Sequence, residues 1–206
     1  MKSLIKIVLA GVASFAALSI GQAATAEVGK SAPDFTLTDI NGNKHSLASF
    51  KGKTVVLEWV NPECPFVVKH YDKSGNLPKT QKSAISDGVV WLQINSGHPG
   101  AQGDFEPAKV ADWQKRNAVA STAYFRDQDG KVGKLYDART TPHMYVIDPA
   151  GTLVYAGGID DIRSSKAEDI AKATNFVNAA LSDLKSGKAV QTKNSQPYGC
   201  SVKYKN

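Results

Sequence analysis

The sequence predicts an α/β fold in which a central mixed β-sheet is flanked by helices, with an N-terminal β-hairpin extension in front of it. Three observations carry this. Two runs rich in β-branched and aromatic residues, 54–60 and 89–94, are apolar enough to be strands covered on both faces. Helix-period segments fall between the strand-like runs, where parallel neighbours need crossover connections. Turn signals, Asn41-Gly42 near the start and Asp148-Pro149-Ala150-Gly151 later on, separate alternating runs as in hairpins.

The chain has 206 residues, and residues 1–26 read as a secretory leader. Lys2 and Lys6 precede an apolar stretch from Ile7 to Ile20, and Ala24-Thr25-Ala26 has the small-x-small spacing of a cleavage site. Cleavage is expected after Ala26. The apolar stretch is shorter than the roughly 20 residues of a bilayer span, so the expected mature protein is exported, periplasmic or secreted, with no membrane span. One domain is expected over 27–187, followed by a polar, flexible tail over 188–206 that carries Cys200. The 25 basic and 19 acidic side chains give a net charge of +6. The charges are scattered apart from Lys203-Tyr204-Lys205, which makes no case for a nucleic-acid partner.

In chain order, residues 35–38 alternate with strand period, Asn41-Gly42 turns the chain, and 45–47 return it. Gly52 breaks before the buried strand at 54–60. Residues 65–71 read as a first helix and 77–86 as its continuation after Gly75. A second buried strand covers 89–94, a glycine-rich loop 96–105, an amphipathic helix 107–116 and a short strand 124–126. Residues 144–147 and 153–155 form a later hairpin. Ser165-Lys166-Ala167-Glu168 has the form of a capping box and is expected to open a helix through Leu184, ended by Gly187.

Only two cysteines occur. Cys64 stands in "EWVNPECPFVVKHYD", directly after a strand and directly before Pro65. Proline is favoured at the first helical position, which makes Cys64 the N-cap. The amides of Phe66 and Val67, together with the helix dipole, then favour an anion at the sulfur. Glu63 opposes this, and His70 is nearly two turns away, a poor candidate for a base. The alternative is a cysteine that packs as a small hydrophobe. In an oxidising compartment, two cysteines serve equally as a staple or as a redox pair.

Strand, cysteine at a helix start, and a later Thr141-Pro142 before a hairpin together resemble the thioredoxin-like superfamily, and within it the alkyl hydroperoxide reductase/thiol-specific antioxidant branch. "APDFTLTDINGNKHSLASFKGKTVVLEW" resembles the opening of those proteins and of periplasmic thiol–disulfide oxidoreductases. "TPHMYVIDPAGTLVYAGGIDD" resembles their later segment, with Pro142 in the place of the cis-proline. With "CPFVVKHY" and "YGCSVKY", the chain is similar to peroxiredoxin-like exported redoxins.

The resemblance implies a thioredoxin-like fold and an enzyme that uses Cys64 as a nucleophile in thiol–disulfide exchange. It implies no cofactor, a disulfide-containing protein or peroxide as substrate, and a separate thiol reductant. Thr141 and Pro142 are then expected beside Cys64, where the Thr141 backbone can pair with an extended substrate.

Two departures shape the expectation. Thioredoxins carry Cys-x-x-Cys, yet Val67 stands three residues after Cys64 and Asn61 three before, so no local dithiol exists. Peroxiredoxins carry Pro-x-x-x-Thr-x-x-Cys, whereas here Leu57 holds the proline place and Asn61 the threonine place. Peroxidase activity is therefore the second reading, with Arg126 a possible activating cation. Cys200 would resolve an oxidised Cys64 into a disulfide or staple the tail, and the spacing leaves both open. A third reading is a copper-binding or structural module, since Cys64, His143 and Met144 offer soft ligands. The four histidines lack zinc-type spacing.

Overall fold

The computed structural model describes residues 25–205, so the expected leader lies outside the described residues except for Thr25 and Ala26. Ala26 already belongs to the body, its N–H donating to the Leu135 carbonyl at 2.9 Å. A two-stranded antiparallel hairpin follows, β1 (Thr36–Thr38) and β2 (Lys44–Ser46). Asp39 fixes its turn. One carboxylate oxygen accepts the N–H groups of Asn41 and Asn43, each at 2.9 Å, and the other lies 2.9 Å from His45 Nε2. Gly42 supplies the left-handed residue at φ +86°.

Seven further strands follow: β3 (Val55–Trp59), β4 (Val90–Asn95), β5 (Ala123–Arg126), β6 (Thr140–Thr141), β7 (His143–Ile147), β8 (Leu153–Gly157) and β9 (Cys200–Ser201). The main sheet has the order β5-β4-β3-β7-β8. Strands β3, β4 and β5 are parallel, and β7 and β8 run antiparallel to their neighbours. The crossover from β3 to β4 carries α1 (Pro65–His70) and α2 (Asn76–Ser86), and that from β4 to β5 carries α3 (Pro107–Arg116). A short α4 (Lys131–Leu135) precedes β6, and α5 (Phe176–Lys185) follows β8.

All of β3 is buried, as a central strand covered on both faces requires. Its side chains alternate between two cores. Val55, Leu57 and Trp59 pack with Leu92, Ile94, Phe125 and Tyr145 on the face closed by the hairpin and α4. Val56 packs with Trp91, Met144, Val146, Val67, Leu77 and Val177 on the face covered by α1, α2 and α5. Burial of one such aliphatic side chain contributes roughly 1.5–3 kcal/mol, so this alternation fixes the register of the strand. Cys64 belongs to the second core.

The structure departs from the sequence reading in three places. The capping box at Ser165 does not open a long helix. Residues Ala167–Lys172 form a 3-10 turn without a side-chain cap, and Ala173 is extended. Ser164 Oγ donates instead to Asp169 at 2.6 Å and closes that turn on itself. Helix α5 starts afresh at Phe176, capped by Asn175, whose side-chain oxygen accepts the Asn178 N–H at 2.9 Å. Second, α4 is too short to show a helical period, and it emerges only where Val132 packs into the core.

Third, the tail expected to be flexible from residue 188 lies along the body. Ala156 N–H donates to Lys193 O at 3.1 Å, Ser195 N–H to Ala156 O at 3.2 Å, Val202 N–H to Arg139 O at 3.0 Å and His98 N–H to Lys203 O at 2.8 Å. Val190 and Tyr198 are buried. The tail covers backbone edges at β8 and β6 that would otherwise stand open, a use of polar chain that composition does not reveal. Among the described residues no helix is long and apolar enough to cross a membrane.

Candidate active site

Cys64 sits where the end of the central strand turns into α1. The turn is held by Asn61, whose carbonyl accepts the Cys64 N–H at 3.0 Å and whose side-chain oxygen accepts the Glu63 N–H at 2.9 Å. Pro65 opens the helix, and Cys64 is its extended N-cap at φ −72°, ψ 126°. The expectation that Val67 N–H points at the sulfur fails, since that amide donates to the Cys64 carbonyl at 2.9 Å. The thiol turns the other way. Cys64 Sγ lies 3.0 Å from the Thr141 carbonyl oxygen, to which it donates. The Thr141–Pro142 peptide is cis, as the sequence predicts. Cys64 is fully buried, at 0% exposure.

The second cysteine arrives from the far end of the chain. Strand β9 pairs antiparallel with β6, with Cys200 opposite Thr141 and Ser201 opposite Thr140. Both cysteines are free thiols. Burial, and then the Cys64 thiol beside it, push the Cys200 thiol up to about 12. Cys200 therefore holds its proton at neutral pH.

The remaining expected participants are placed as follows. The Asn61 carboxamide is committed to its loop, with Nδ2 donating to Gln102 O at 3.1 Å, so it shapes the turn and does not address the sulfur. Gly103 approaches it so closely that a Cβ there would lie 1.9 Å from Asn61 Oδ1. Arg126 is engaged by Asp104 at 3.0 Å and Glu106 at 2.9 Å, which leaves its guanidinium bound to carboxylates. His143 and Met144 point to opposite faces of β7. Met144 joins the Cys64 core, while His143 stacks on Tyr145 at 4.5 Å, so the soft-ligand group expected for copper is not assembled. A cavity of about 10 Å³ lies among Asn61, Asn95, Gln102, Thr141 and Val202, room for about one water.

Two buried polar clusters adjoin the site, and the sequence reading missed both. Glu58, on β3, is fully buried. It accepts from Tyr71 Oη at 2.6 Å, Trp91 Nε1 at 2.7 Å and Gln81 Nε2 at 3.1 Å. Burial outweighs these bonds and raises its carboxyl to about 7. A charged residue within an apolar strand run was the available signal. The second cluster lies on α1 itself, where Lys69 and His70 are fully buried beside Asp160 and Tyr198. The local sequence carries no sign of it, because Asp160 and Tyr198 come from distant segments.

A cysteine at the start of the helix after the central strand of a mixed five-stranded sheet, beside a cis-proline loop, defines a protein of the thioredoxin-like fold. The chain belongs to the AhpC/TSA family, which it matches over residues 28–156, more than half its length. It is 30% identical over 131 residues to the thiol-disulfide oxidoreductase ResA of Geobacillus kaustophilus (strain HTA426), covering 60% of this chain and 65% of that protein. The match thus spans a little under two thirds of that relative's length. The crystal structure of a hypothetical protein from Sinorhizobium meliloti 1021 superposes with a TM-score of 0.73 at 27% identity, covering 88% of this chain and 96% of that one. A putative thiol:disulfide interchange protein DsbE from Chlorobium tepidum has the same fold, with a TM-score of 0.52 at 18% identity over 64% of this chain and 85% of its own.

Proposed function

We propose that this chain is an exported thiol–disulfide oxidoreductase with Cys64 as nucleophile and Cys200 as its resolving partner. The observation that carries the reading is the convergence on Thr141. Its carbonyl accepts the Cys64 thiol proton, and Cys200 faces Thr141 across the β6–β9 pair. The thiolate of Cys64 attacks a substrate sulfur and forms a mixed disulfide, and Cys200 then closes on Cys64 and releases the reduced substrate. A separate thiol reductant restores the pair. No metal or organic cofactor enters this cycle. The AhpC/TSA membership and the similarity to ResA support it, and the leader-like residue pattern of 1–26 supports export.

The water-sized cavity beside Asn61 and Thr141 favours a second reading, reduction of a small peroxide, in which Cys64 passes through a sulfenic acid. One experiment separates the two. Reduced protein is treated either with one equivalent of hydrogen peroxide or with a model disulfide, and its cysteines are mapped by mass spectrometry without reduction. Rapid mixed-disulfide formation on Cys64, with a slow peroxide reaction, is expected. A fast peroxide reaction, with sulfenic acid trapped on Cys64 in Cys200→Ser, reverses the order. A Cys64–Cys200 bond that resists strong dithiol reductants makes both cysteines structural and ends the enzyme reading.

A further inference from the structure

Helix α1 carries a lysine that is fully buried. Lys69 Nζ lies 3.5 Å from Asp160 Oδ2, and 3.4 Å from both Tyr198 Oη and the Ile162 carbonyl. A buried ion pair is tolerated when its remaining hydrogen-bonding capacity is filled. Here part of the filling comes from the tail. Tyr198 donates to Asp160 Oδ1 at 2.5 Å and lies 3.5 Å from His70 Nε2. Its ring packs edge-on against Phe66, with centroids 5.8 Å apart. Tyr198 thus fastens the tail to the same helix that Cys64 caps.

Beyond this anchor the chain presses onto the cis-proline loop. Gly199, at φ +141°, passes so close that a Cβ there would lie 2.1 Å from the Thr141 carbonyl oxygen. Cys200 and Ser201 then pair with Thr141 and Thr140. Among the described residues β9 is the strand partner of β6, and beneath them Cys64 has no exposed surface. A disulfide exchange requires the incoming sulfur to reach Cys64 in line, which the seated strand prevents. Once the strand lifts, β6 presents unpaired N–H and C=O groups beside the thiol, an edge that an extended polypeptide can occupy as an added strand.

We infer that residues 198–202 are an internal occupant of the edge where an extended substrate is expected to pair, that Tyr198 is the positioning residue that seats them, and that Cys64 meets an external disulfide only when this strand lifts. The inference rests on the reading of Cys64 as nucleophile. With the strand lifted, the Cys64 thiolate attacks R–S–S–R′, forms Cys64–S–S–R and releases R′–S⁻. As the strand reseats it displaces the bound polypeptide and delivers Cys200. The Cys200 sulfur attacks Cys64, its proton passes to the departing R–S⁻, and a Cys64–Cys200 disulfide remains. The substrate gains two electrons and the cysteine pair loses them, to be restored by a separate dithiol reductant.

The test uses the full chain and two ways of loosening the strand. Tyr198→Phe keeps the ring but removes the hydroxyl from Asp160 and Lys69. Gly199→Ala leaves the anchor and pushes the strand off Thr141. The probe is an extended cysteine peptide carrying a thionitrobenzoate mixed disulfide, whose coloured leaving group reports attack. In the Cys200→Ser background each change is expected to raise peptide capture by Cys64, for Tyr198→Phe about tenfold, the scale of one lost hydrogen bond to a charged group. With Cys200 present, the same changes are expected to slow Cys64–Cys200 closure. Opposite signs on the two steps are the signature, because general damage slows both. Equal capture with and without the substitutions, or slowing of both steps, overturns the role of the strand. Absence of any Cys64 adduct in the loosened variants overturns the nucleophile reading and the inference with it.

Discussion

Cys200 lies opposite Thr141 in the β6–β9 pair, so a residue near the end of the chain meets the backbone that receives the thiol of Cys64. The two cysteines, far apart in sequence, are joined through one residue of the cis-proline loop. The chemistry expected of each follows from that placement.

Cys64→Ser is expected to abolish capture of a disulfide substrate, since an alcohol does not replace a thiolate in the exchange. Cys200→Ser is expected to stop at the mixed disulfide, releasing one substrate thiol where the parent protein releases two. Intact-mass measurement of the protein after a single turnover checks both. A full turnover by Cys200→Ser would remove Cys200 from the cycle.

Gly103 and Gly42 make a matched pair. Both have φ near +80°, at +78° and +86°, but a Cβ at Gly103 meets Asn61 whereas one at Gly42 meets nothing within 4 Å. Gly103→Ala is expected to cost about 2–4 kcal/mol, adding loss of the Asn61 bonds to backbone strain, and Gly42→Ala about 1–2 kcal/mol from strain alone. Urea unfolding of the two variants measures the difference. Equal losses would mean that the Asn61 turn does not depend on that close approach.

Glu58 makes stability fall as pH rises. Its folded value, about 7, stands above the ordinary 4.5, so between those values the native protein binds the extra proton. Its contribution is fully present below about pH 4.5 and lost as pH rises through about 7, amounting to roughly 3 kcal/mol. Glu58→Gln is expected to remove this slope in denaturant titrations between pH 5 and 8. Parallel curves for parent and variant would show that Glu58 does not titrate there.

The buried histidines act with the opposite sign. Burial, and for His70 then Lys69, lowers His70 to about 3, and burial lowers His143 to about 4. Both stay neutral in the folded protein, so their stability is present above about pH 6.5 and lost as pH falls, each at about 1.4 kcal/mol per pH unit. Two histidines outweigh the one glutamate, so the protein is expected to lose stability on acidification from pH 6 to 5. His143→Phe is expected to reduce that loss by about one proton's worth, measured as the pH slope of unfolding free energy. An unchanged slope would place a charged His143 in the native state.

Most of the scaffold could be read from short stretches. Runs at 54–60 and 89–94 read as buried strands because every position in them but Thr54, Glu58 and Gln93 is apolar, and Asn41-Gly42 marked a hairpin. The helix at 107–116 fell between its proline and Arg116 as expected. Where local signals competed, the reading failed. Ser165 has the spacing of a capping box, yet the Ser164–Asp169 bond and the Asn175 cap decide that region. The cis-proline was legible because Thr141-Pro142 stands in a recognised segment.

What the sequence determined by itself was the order of the main-sheet strands and their crossover helices, the presentation of Cys64 at a strand-to-helix turn, and the absence of a neighbouring thiol. These depend on residues close together in the chain, where spacing and propensity act directly. The tertiary structure decided that the polar tail is stitched to two sheet edges, that Tyr198 completes the buried Lys69–Asp160 pair, and that Cys200 faces Cys64 across Thr141. Such contacts form between segments up to 136 positions apart and answer unpaired backbone groups and buried charges. Those needs exist only after the chain has folded, so no local pattern of residues records them.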